Sequence, residues 1–500
     1  MNLQSILENI SLEFEIFGDK SLISKIEIDD IALDSRLVKS NSIFFGIIGK
    51  KTDGANFLPD IANKNCRVAI ISNKSDFDIE KFLKNHPQNI VIAGDVSQIL
   101  TQILQLIYPN LPQNIYAVTG TNGKTSVVEY VRQILGFLQK KSASIGTIGI
   151  KTSHSIDGEV AKSSLTTPDI VSLYKNLAFL KQNQIDDVAI EVSSIGLEQK
   201  RIDGIKIDSG GFTNFSQDHL DYHQNMAEYF NCKMLLFSQV VSAQGSAIVN
   251  ADIKEYLSIR NICEKRNIKI IDYGFNAKIL KIISINLSQI IFEYNQQQYE
   301  FSLNLKGDFQ VYNVFCALGL VLSKYELTPM QIAELIKNFA KLNSAQGRMQ
   351  LVGEFNDAKI FIDFAHSPDA LENVAKLANK IKNNRLILLF GCGGDRDKLK
   401  RPIMGKIATQ IADIVVVTDD NPRTENPQMI RQEIIGDNNS NKIIEIADRK
   451  IAIETAISLL KKGDVLIIAG KGHENYQIIG DKKFEFNEEK IAQDVIKKFS

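Results

Sequence analysis

The five cysteines of this 500-residue chain (Cys66, Cys232, Cys263, Cys316 and Cys392) are scattered, odd in number and never in C-x-x-C spacing. That excludes a disulfide frame or a cysteine zinc site as the organiser of the fold, and it points to reduced thiols in a cytoplasmic protein. No uninterrupted apolar run approaches the roughly 20 residues that span a bilayer, so no membrane segment is expected. Residues 1–20 contain acidic side chains and lack a basic-then-apolar order, so they do not read as a secretion signal. An excess of either charge is missing as well: Lys and Arg total 58, Asp and Glu 59, for a net charge of −1. Such a chain has no broad field for nucleic acid or an anionic membrane, and any anion site has to be local. What remains is an ordinary soluble composition, 44% apolar and 23% charged. The length calls for about three domains rather than one core.

One stretch organises the rest. The apolar run Ile115-Tyr116-Ala117-Val118 leads into Thr119-Gly120-Thr121-Asn122-Gly123-Lys124-Thr125-Ser126, and a helical pattern then begins. A strand–turn–helix of this kind points successive backbone N–H groups into one concavity at a helix N-terminus, which suits an anion. Lys124 adds a point charge for phosphate oxygens, and the Thr125 hydroxyl can hold Mg²⁺. Val118 stands where the general G-x-x-x-x-G-K-[ST] loop has its first glycine. The plain alternative is a glycine turn with an exposed lysine. Nucleoside triphosphate binding is the reading that the strand–turn–helix context favours.

The remaining pattern is α/β throughout. Residues 1 to about 110 read as a small α/β domain with buried strands at 42–49 and 68–71. A helix follows, with Ile99, Ile103, Leu104, Leu106 and Ile107 inward, and Pro109 and Pro112 mark a linker. Residues 111–345 alternate strand and helix as a largely parallel sheet requires, with the first helix over about 127–139. The strand Val188-Ala189-Ile190 ends on Glu191, where a carboxylate can reach a metal beside the phosphate loop. The run Asp218-His219-Leu220-Asp221-Tyr222-His223 tempts a zinc assignment. Since no cysteine or H-E-x-x-H frame supports zinc, we read it as a polar loop giving one ligand to the nucleotide's Mg²⁺. Residues 269–273 and 289–294 are expected at an antiparallel edge, and one helical run is expected from about 309 to 339. Residues 343–348 read as a second linker. Residues 346–500 form a third, Rossmann-like domain. Three of its strand tips carry polar loops: Gly391 to Asp397, Asp419 to Arg423, and Gly470 to Glu474. These loops are expected to converge on a crevice suited to a ligand with carboxylates and an ammonium group.

Taken together, the pieces resemble the Mur ligases, ATP-dependent amino-acid ligases of peptidoglycan precursor synthesis. The shortened loop from Gly120 to Ser126 has their form, which folylpolyglutamate synthases share. Thr166-Thr167-Pro168-Asp169, Glu191 to Leu197, Phe212 to Phe215, Asp218 to His223 and Asp363 to Asp369 fit as well. The likeness covers essentially the whole chain. It implies three domains: 1–110 for the UDP end of one substrate, 111–345 as a central P-loop-type ATPase sheet, and 346–500 for the amino acid.

Residue by residue, the resemblance puts ATP on Gly120, Thr121, Asn122, Gly123, Lys124, Thr125, Ser126, Asn313, Arg348, Asp363 and His366. Lys124, Glu191, His219 and Lys233 are implied as the catalytic set. The metal set is Thr125, Glu191, His219 and Lys233, the lysine as a carbamate. Leu33, Ser35, Thr166, Thr167, Ser193, Gln199 and Arg201 match UDP-substrate positions. The loop Lys50-Lys51-Thr52 departs from the family's familiar form. The three C-terminal loops resemble those of the member that adds meso-2,6-diaminopimelate to UDP-N-acetylmuramoyl-L-alanyl-D-glutamate. They place that amino acid on Arg396, Asp420, Asn421, Pro422, Arg423, Gly470 and Glu474.

The implied reaction forms an acyl phosphate from the D-glutamyl γ-carboxylate and ATP, which the diaminopimelate amine then displaces, leaving ADP and phosphate. Mg²⁺ is the implied cofactor, and the implied state is a cytoplasmic monomer without nucleic-acid or membrane partners. Other readings are the L-lysine-adding ligase of the same step, a folylpolyglutamate-type ligase, or a non-catalytic nucleotide switch. Arg423 favours diaminopimelate, because lysine lacks the second carboxylate that a guanidinium could take in a bidentate pair.

Overall fold

Runs of Ile, Val and Leu too apolar for an edge become the inner strands of three sheets. The computed structural model describes residues 1–49, 52–156, 158, 165–286, 288–437 and 440–499, so Lys50 and Lys51 of the atypical loop lie outside them. The chain forms two units. One comprises Met1–Gln113, Asp157–Asp186 and Gln199–Lys206; the other comprises Asn114–Ile156, Asp187–Glu198 and Ile207–Ser500. Among the described residues no helix is long and apolar enough to cross a membrane.

The first unit holds a five-stranded sheet in the order Phe14–Phe17, Ile90–Gly94, Val68–Ser72, Ser42–Gly46, Asp30–Ala32. Only Phe14–Phe17 runs antiparallel to its neighbour. Every residue of Ser42–Gly46 and Ile90–Gly94 is buried, which is why these strands read as continuous apolar runs instead of alternating. The expected strand at 42–49 stops at Gly46 because the chain doubles back: Gly54 N–H donates to Ile47 O at 3.0 Å, and Gly49 N–H to Thr52 O at 3.0 Å. Helix Val96–Ile107 starts where the Asp95 side chain accepts from Gln98 N–H, and it turns Ile99, Leu100, Ile103 and Leu104 inward.

The second unit contains a ten-stranded sheet whose centre is parallel: Ser142–Gly146, Asp187–Glu191, Asn114–Thr119, Ile207–Phe212, Val241–Asn250, Lys269–Gly274 and Leu280–Asn286. Helices Lys124–Phe137 and Asp308–Leu322 share a buried cluster with Tyr116 and Val118. Two expectations are corrected. Lys269–Gly274 is an inner parallel strand: the Asp272 that gave it a polar look is buried, accepting from Lys278 and Ile279 N–H and from the Tyr256 hydroxyl. Antiparallel pairing is left to the two edges, Leu280–Asn286 with Gln289–Tyr294 and Gln297–Ser302 at one, and Ser142–Gly146 with Gly149–Thr152 at the other. The single helical run is two helices, because Thr328 and Gln331 close a capping box and Pro329 starts the second helix, Pro329–Ile336.

The same unit's second sheet runs Gln350–Phe355, Ala358–Asp363, Val465–Ala469, Leu386–Phe390, Ile414–Val417, Ile443–Glu445, and is parallel except at its first strand. Side chains alternate across it. Leu388, Phe390, Val415 and Ile467 face one helical layer, while Ile387, Leu389, Val416 and Ile468 face another. This is a doubly wound layer, whose ligands belong at the carboxyl ends of its strands.

Candidate nucleotide and amino-acid site

Strand Asn114–Thr119 ends in two glycines that the backbone requires. Gly120 and Gly123 have φ of 137° and 88°. A Cβ on Gly120 would fall 2.0 Å from Thr213 Oγ1, and one on Gly123 would fall 2.4 Å from Asn313 Oδ1. Gly123 caps helix Lys124–Phe137 with no side-chain hydrogen bond, so the positive end of the helix faces the loop. Lys124 folds back over the loop, its Nζ donating to the carbonyls of Gly120 and Thr121 at 2.8 Å each. Lys233, on helix Met226–Leu235, reaches the same Gly120 carbonyl at 2.8 Å and lies 4.4 Å from the Tyr229 ring centroid. Burial, and after it the neighbouring Lys124, presses the Lys233 ammonium well below the ordinary lysine value. Burial lowers Lys124 too.

Glu191 closes the loop's other side. Its Oε2 accepts from the Thr125 hydroxyl at 3.0 Å, and its Oε1 from Thr147 N–H at 2.8 Å. Gly146 leaves the space, since a Cβ there would sit 2.1 Å from Oε1. Burial pushes the Glu191 carboxyl up, against the pull of Lys124 and Arg348. A carboxyl raised in the fold adds stability below its unfolded pKa and loses it as pH rises through the folded one. Glu191→Gln is therefore expected to raise Tm at pH 7, with the gap to the parent closing as pH falls toward the ordinary glutamate range. Melting curves across that range check it.

Asp218, which motif reading left without a role, is a buried carboxylate facing two histidines and a lysine. His219 Nε2 lies 3.7 Å away, His366 Nε2 3.5 Å, and Lys400 Nζ 3.8 Å. Burial opposes its ionisation, but His219, His366 and Lys400 outweigh that and hold the carboxyl well below its usual range. Burial drives His219 down to about 4, so a neutral ring is available at neutral pH as a ligand. His223 is structural: its buried Nε2 meets Ser194 Oγ at 2.9 Å.

A cavity of about 320 Å³ opens between the phosphate loop and the C-terminal sheet. Asn122, Gly123 and Ser126 line it with Asn313, Arg348 and Asp363. Arg348 donates to Thr125 Oγ1 at 3.0 Å and stacks 4.5 Å from the Phe364 centroid. Among the described residues its buried Nε has no hydrogen-bond partner, which fits an incoming phosphate acceptor. Asp363 accepts from Met349 and Ala365 N–H at 2.7 Å each, locking the linker end to the strand tip. Motif reading missed Asp369, whose Oδ2 accepts from Asn122 Nδ2 at 2.8 Å across the cavity, and also Asn250, Tyr273 and Tyr312 on its wall. Only Asp369 carried a signal, as the last residue of a quoted motif.

The three C-terminal loops do meet. Asn421 Nδ2 donates to Glu474 Oε2 at 3.0 Å. Arg423 Nη1 donates to Gly394 O at 2.8 Å and to Asn421 O at 3.3 Å. Pro422 O abuts Gly394, which has no room for a side chain. Arg396 Nη1 lies 3.3 Å from Asp221 Oδ2. Burial, and then Arg396, pulls the Arg423 guanidinium below its ordinary value, so two cations crowd a place that calls for anions. Asp420 Oδ2 is buried without a hydrogen-bond partner among the described residues, and Gly470, with φ of 116°, leaves no Cβ over it.

In the first unit, Arg201 Nη1 donates to Thr167 O at 2.7 Å, and its Nη2 to Gln199 Oε1 at 2.6 Å. Thr166 adjoins this group. Leu33 and Ser35 follow strand Asp30–Ala32, with Ser35 O taking Lys64 Nζ at 2.9 Å. Ser193 belongs to the second unit, where its Oγ accepts from Gly196 N–H at 3.0 Å.

For a divalent ion the loop supplies two neighbouring oxygen donors, the Thr125 hydroxyl and the Glu191 carboxylate. Hard oxygen ligands in that number suit Mg²⁺, which takes the rest from water and phosphate. Among the described residues there is no group of three or more His, Cys, Asp or Glu able to hold a metal by themselves.

Residues 118–321 match the Mur ligase middle domain, and residues 347–472 match the Mur ligase glutamate ligase domain. A curated relative from Rickettsia bellii (strain RML369-C) is 41% identical over 95% of this chain and 97% of its own; it is a UDP-N-acetylmuramoyl-L-alanyl-D-glutamate–2,6-diaminopimelate ligase. A solved structure of a ligase with that name superposes at a TM-score of 0.63, with 27% identity over 100% of this chain and 99% of its own. A folylpolyglutamate synthase from Mycobacterium tuberculosis, complexed with ADP, superposes at 0.62 with 17% identity, over 74% of this chain and 90% of its own. The chain belongs to the Mur ligase family.

Proposed function

We propose that this protein joins meso-2,6-diaminopimelate to UDP-N-acetylmuramoyl-L-alanyl-D-glutamate with ATP, releasing ADP and phosphate, as a cytoplasmic monomer of peptidoglycan synthesis. The carrying observation is one unit in which a phosphate loop, a nucleotide-sized cavity and a doubly cationic crevice adjoin. Domain limits near residues 110 and 345 divide the work among the UDP end, the nucleotide and the amino acid. The folylpolyglutamate-type fold leaves about a quarter of the chain unmatched, which disfavours that alternative.

Lys124 and the loop amides hold the β- and γ-phosphates, and Arg348 faces the transferring group. Asn122, Asn313, Asp363 and His366 complete the nucleotide's seat. Thr125 and Glu191, with His219 and Lys233, are the residues to hold Mg²⁺, which supplies charge neutralisation on the phosphates. Burial that lowers the Lys233 ammonium favours its amine form, the nucleophile for CO₂: the N–C bond forms, one N–H proton leaves, and an anionic carbamate results. Leu33, Ser35, Thr166, Thr167, Ser193, Gln199 and Arg201 take the UDP-linked substrate. Arg396 and Arg423 take carboxylates; Asp420, Glu474 and the Gly470 carbonyl take an ammonium.

Purified protein is expected to release phosphate only when ATP, the UDP-linked dipeptide and diaminopimelate are all present. Release that ignores either acceptor would mark an idle ATPase or switch, and acceptance of a folate substrate would move the chain to the neighbouring family.

A further inference from the structure

We propose that Lys471 is the positioning residue of the amino-acid crevice: its ammonium joins Asn421 to Glu474 and so decides which of their polar atoms meet the incoming amino acid. This rests on the reading of that crevice as the diaminopimelate subsite, and it adds a residue outside the set that touches the ligand.

Lys471 is completely buried, with a side-chain exposure of 0%. The glycines on either side, with φ of 116° and 55°, let the loop turn a lysine inward. Its Nζ lies 3.0 Å from Asn421 Oδ1 and 3.0 Å from Glu474 Oε2, and 5.5 Å from the Tyr476 ring centroid. Asn421 Oδ1 also accepts from Ile478 N–H at 2.9 Å. An ammonium and a backbone N–H can only donate, so Oδ1 has to face both and the Asn421 NH₂ has to face Glu474. Glu474 Oε2 thereby receives two donors. Its Oε1 keeps a single longer contact among the described residues, the Tyr476 hydroxyl at 3.4 Å, and is the oxygen left for a substrate ammonium.

The same bond steers Arg423. Asn421 sits on the loop after strand Ile414–Val417, and Lys471 on the loop after Val465–Ala469. The hairpin of Tyr476–Ile479 and Lys482–Glu485 backs the first loop: Gln477 Nε2 donates to Asp420 O at 2.7 Å, Arg423 N–H to Ile478 O at 3.1 Å, and Gly480 N–H to Arg423 O at 2.7 Å. Arg423 itself is held at a φ of 51°, a left-handed conformation that an unsupported arginine leaves readily. Lys471 reinforces the direct Asn421–Glu474 bond by donating to both partners. Without it, among the described residues, Asn421 Oδ1 keeps only the Ile478 N–H and Glu474 Oε2 only the Asn421 NH₂, and the common register of Arg423 and Glu474 loosens.

The test compares Lys471→Met and Lys471→Arg with the parent full-length protein. Lys471→Met is expected to raise KM for diaminopimelate about 10–100-fold, the scale of one charge-assisted hydrogen bond to the substrate. Its KM for ATP and its affinity for ADP stay unchanged. Lys471→Arg, which keeps the charge in a different donor geometry, is expected to fall between. An unchanged KM for diaminopimelate in Lys471→Met overturns the proposal. So does an equal loss of ADP binding in both variants, which would make Lys471 a folding prop. Parent protein inactive with diaminopimelate overturns the reading beneath it, and that failure is seen before any variant is made.

Discussion

Lys124→Met is expected to lower ATP turnover by about a thousandfold or more, the scale of removing a preorganised charge from a phosphoryl-transfer site. The side chain is of similar length and apolar, so the loop loses a cation and little volume. Of the two carbonyls that now hold Nζ, that of Gly120 keeps its bond from Lys233 at 2.8 Å. The fold should persist, because the glycines and the strand–helix packing shape the loop. Lys233→Met should be as inactive for a different reason, the loss of the carbamate proposed for it. Near-normal turnover by Lys233→Met would remove that role, whatever Lys124 does. Single-turnover phosphate release with both acceptors present measures both variants.

Arg423→Met is expected to cut kcat/KM for diaminopimelate by about a hundredfold and leave any activity on L-lysine no lower. In the present geometry Nη1 is spent on the carbonyls of Gly394 and Asn421. Nε and Nη2 remain the edge for a carboxylate. Removing the guanidinium would leave a desolvated substrate carboxylate beside Arg396 alone, whereas lysine brings no such group. Arg423→Lys keeps the charge without the fork, so it should recover only part of the loss. Competition between the two amino acids at equal concentration reads the change directly.

The phosphate loop was legible in sequence because its chemistry is contiguous: strand, two glycines, lysine and hydroxyls fall within a dozen residues. Glu191 was legible for a similar reason, as the charged tip of an apolar strand. Asp218, Asp369 and Lys471 were not singled out, since their roles arise only where distant loops meet. A buried lysine in Gly470-Lys471-Gly472 looks, as a sequence, like a solvated loop charge. Lys269–Gly274 misled in the opposite direction, because alternation suggests an exposed face and Asp272 is instead satisfied internally by two amides and a tyrosine. The first unit's discontinuity was hidden for a comparable reason. Helix Ile170–Gln182 follows the central strands in sequence, yet its Lys175 pairs with Asp30 at 2.7 Å within the first unit.

The central claim is that ATP cleavage is spent on joining diaminopimelate to the UDP-linked dipeptide. One measurement addresses it most directly: product formation by purified protein with that dipeptide, Mg²⁺ and ATP, given meso-diaminopimelate or L-lysine in parallel. A tripeptide product with diaminopimelate, one phosphate per bond formed and a kcat/KM at least about a hundredfold above that for lysine is the predicted result. Lysine used as efficiently as diaminopimelate, or phosphate released without product, would contradict the account.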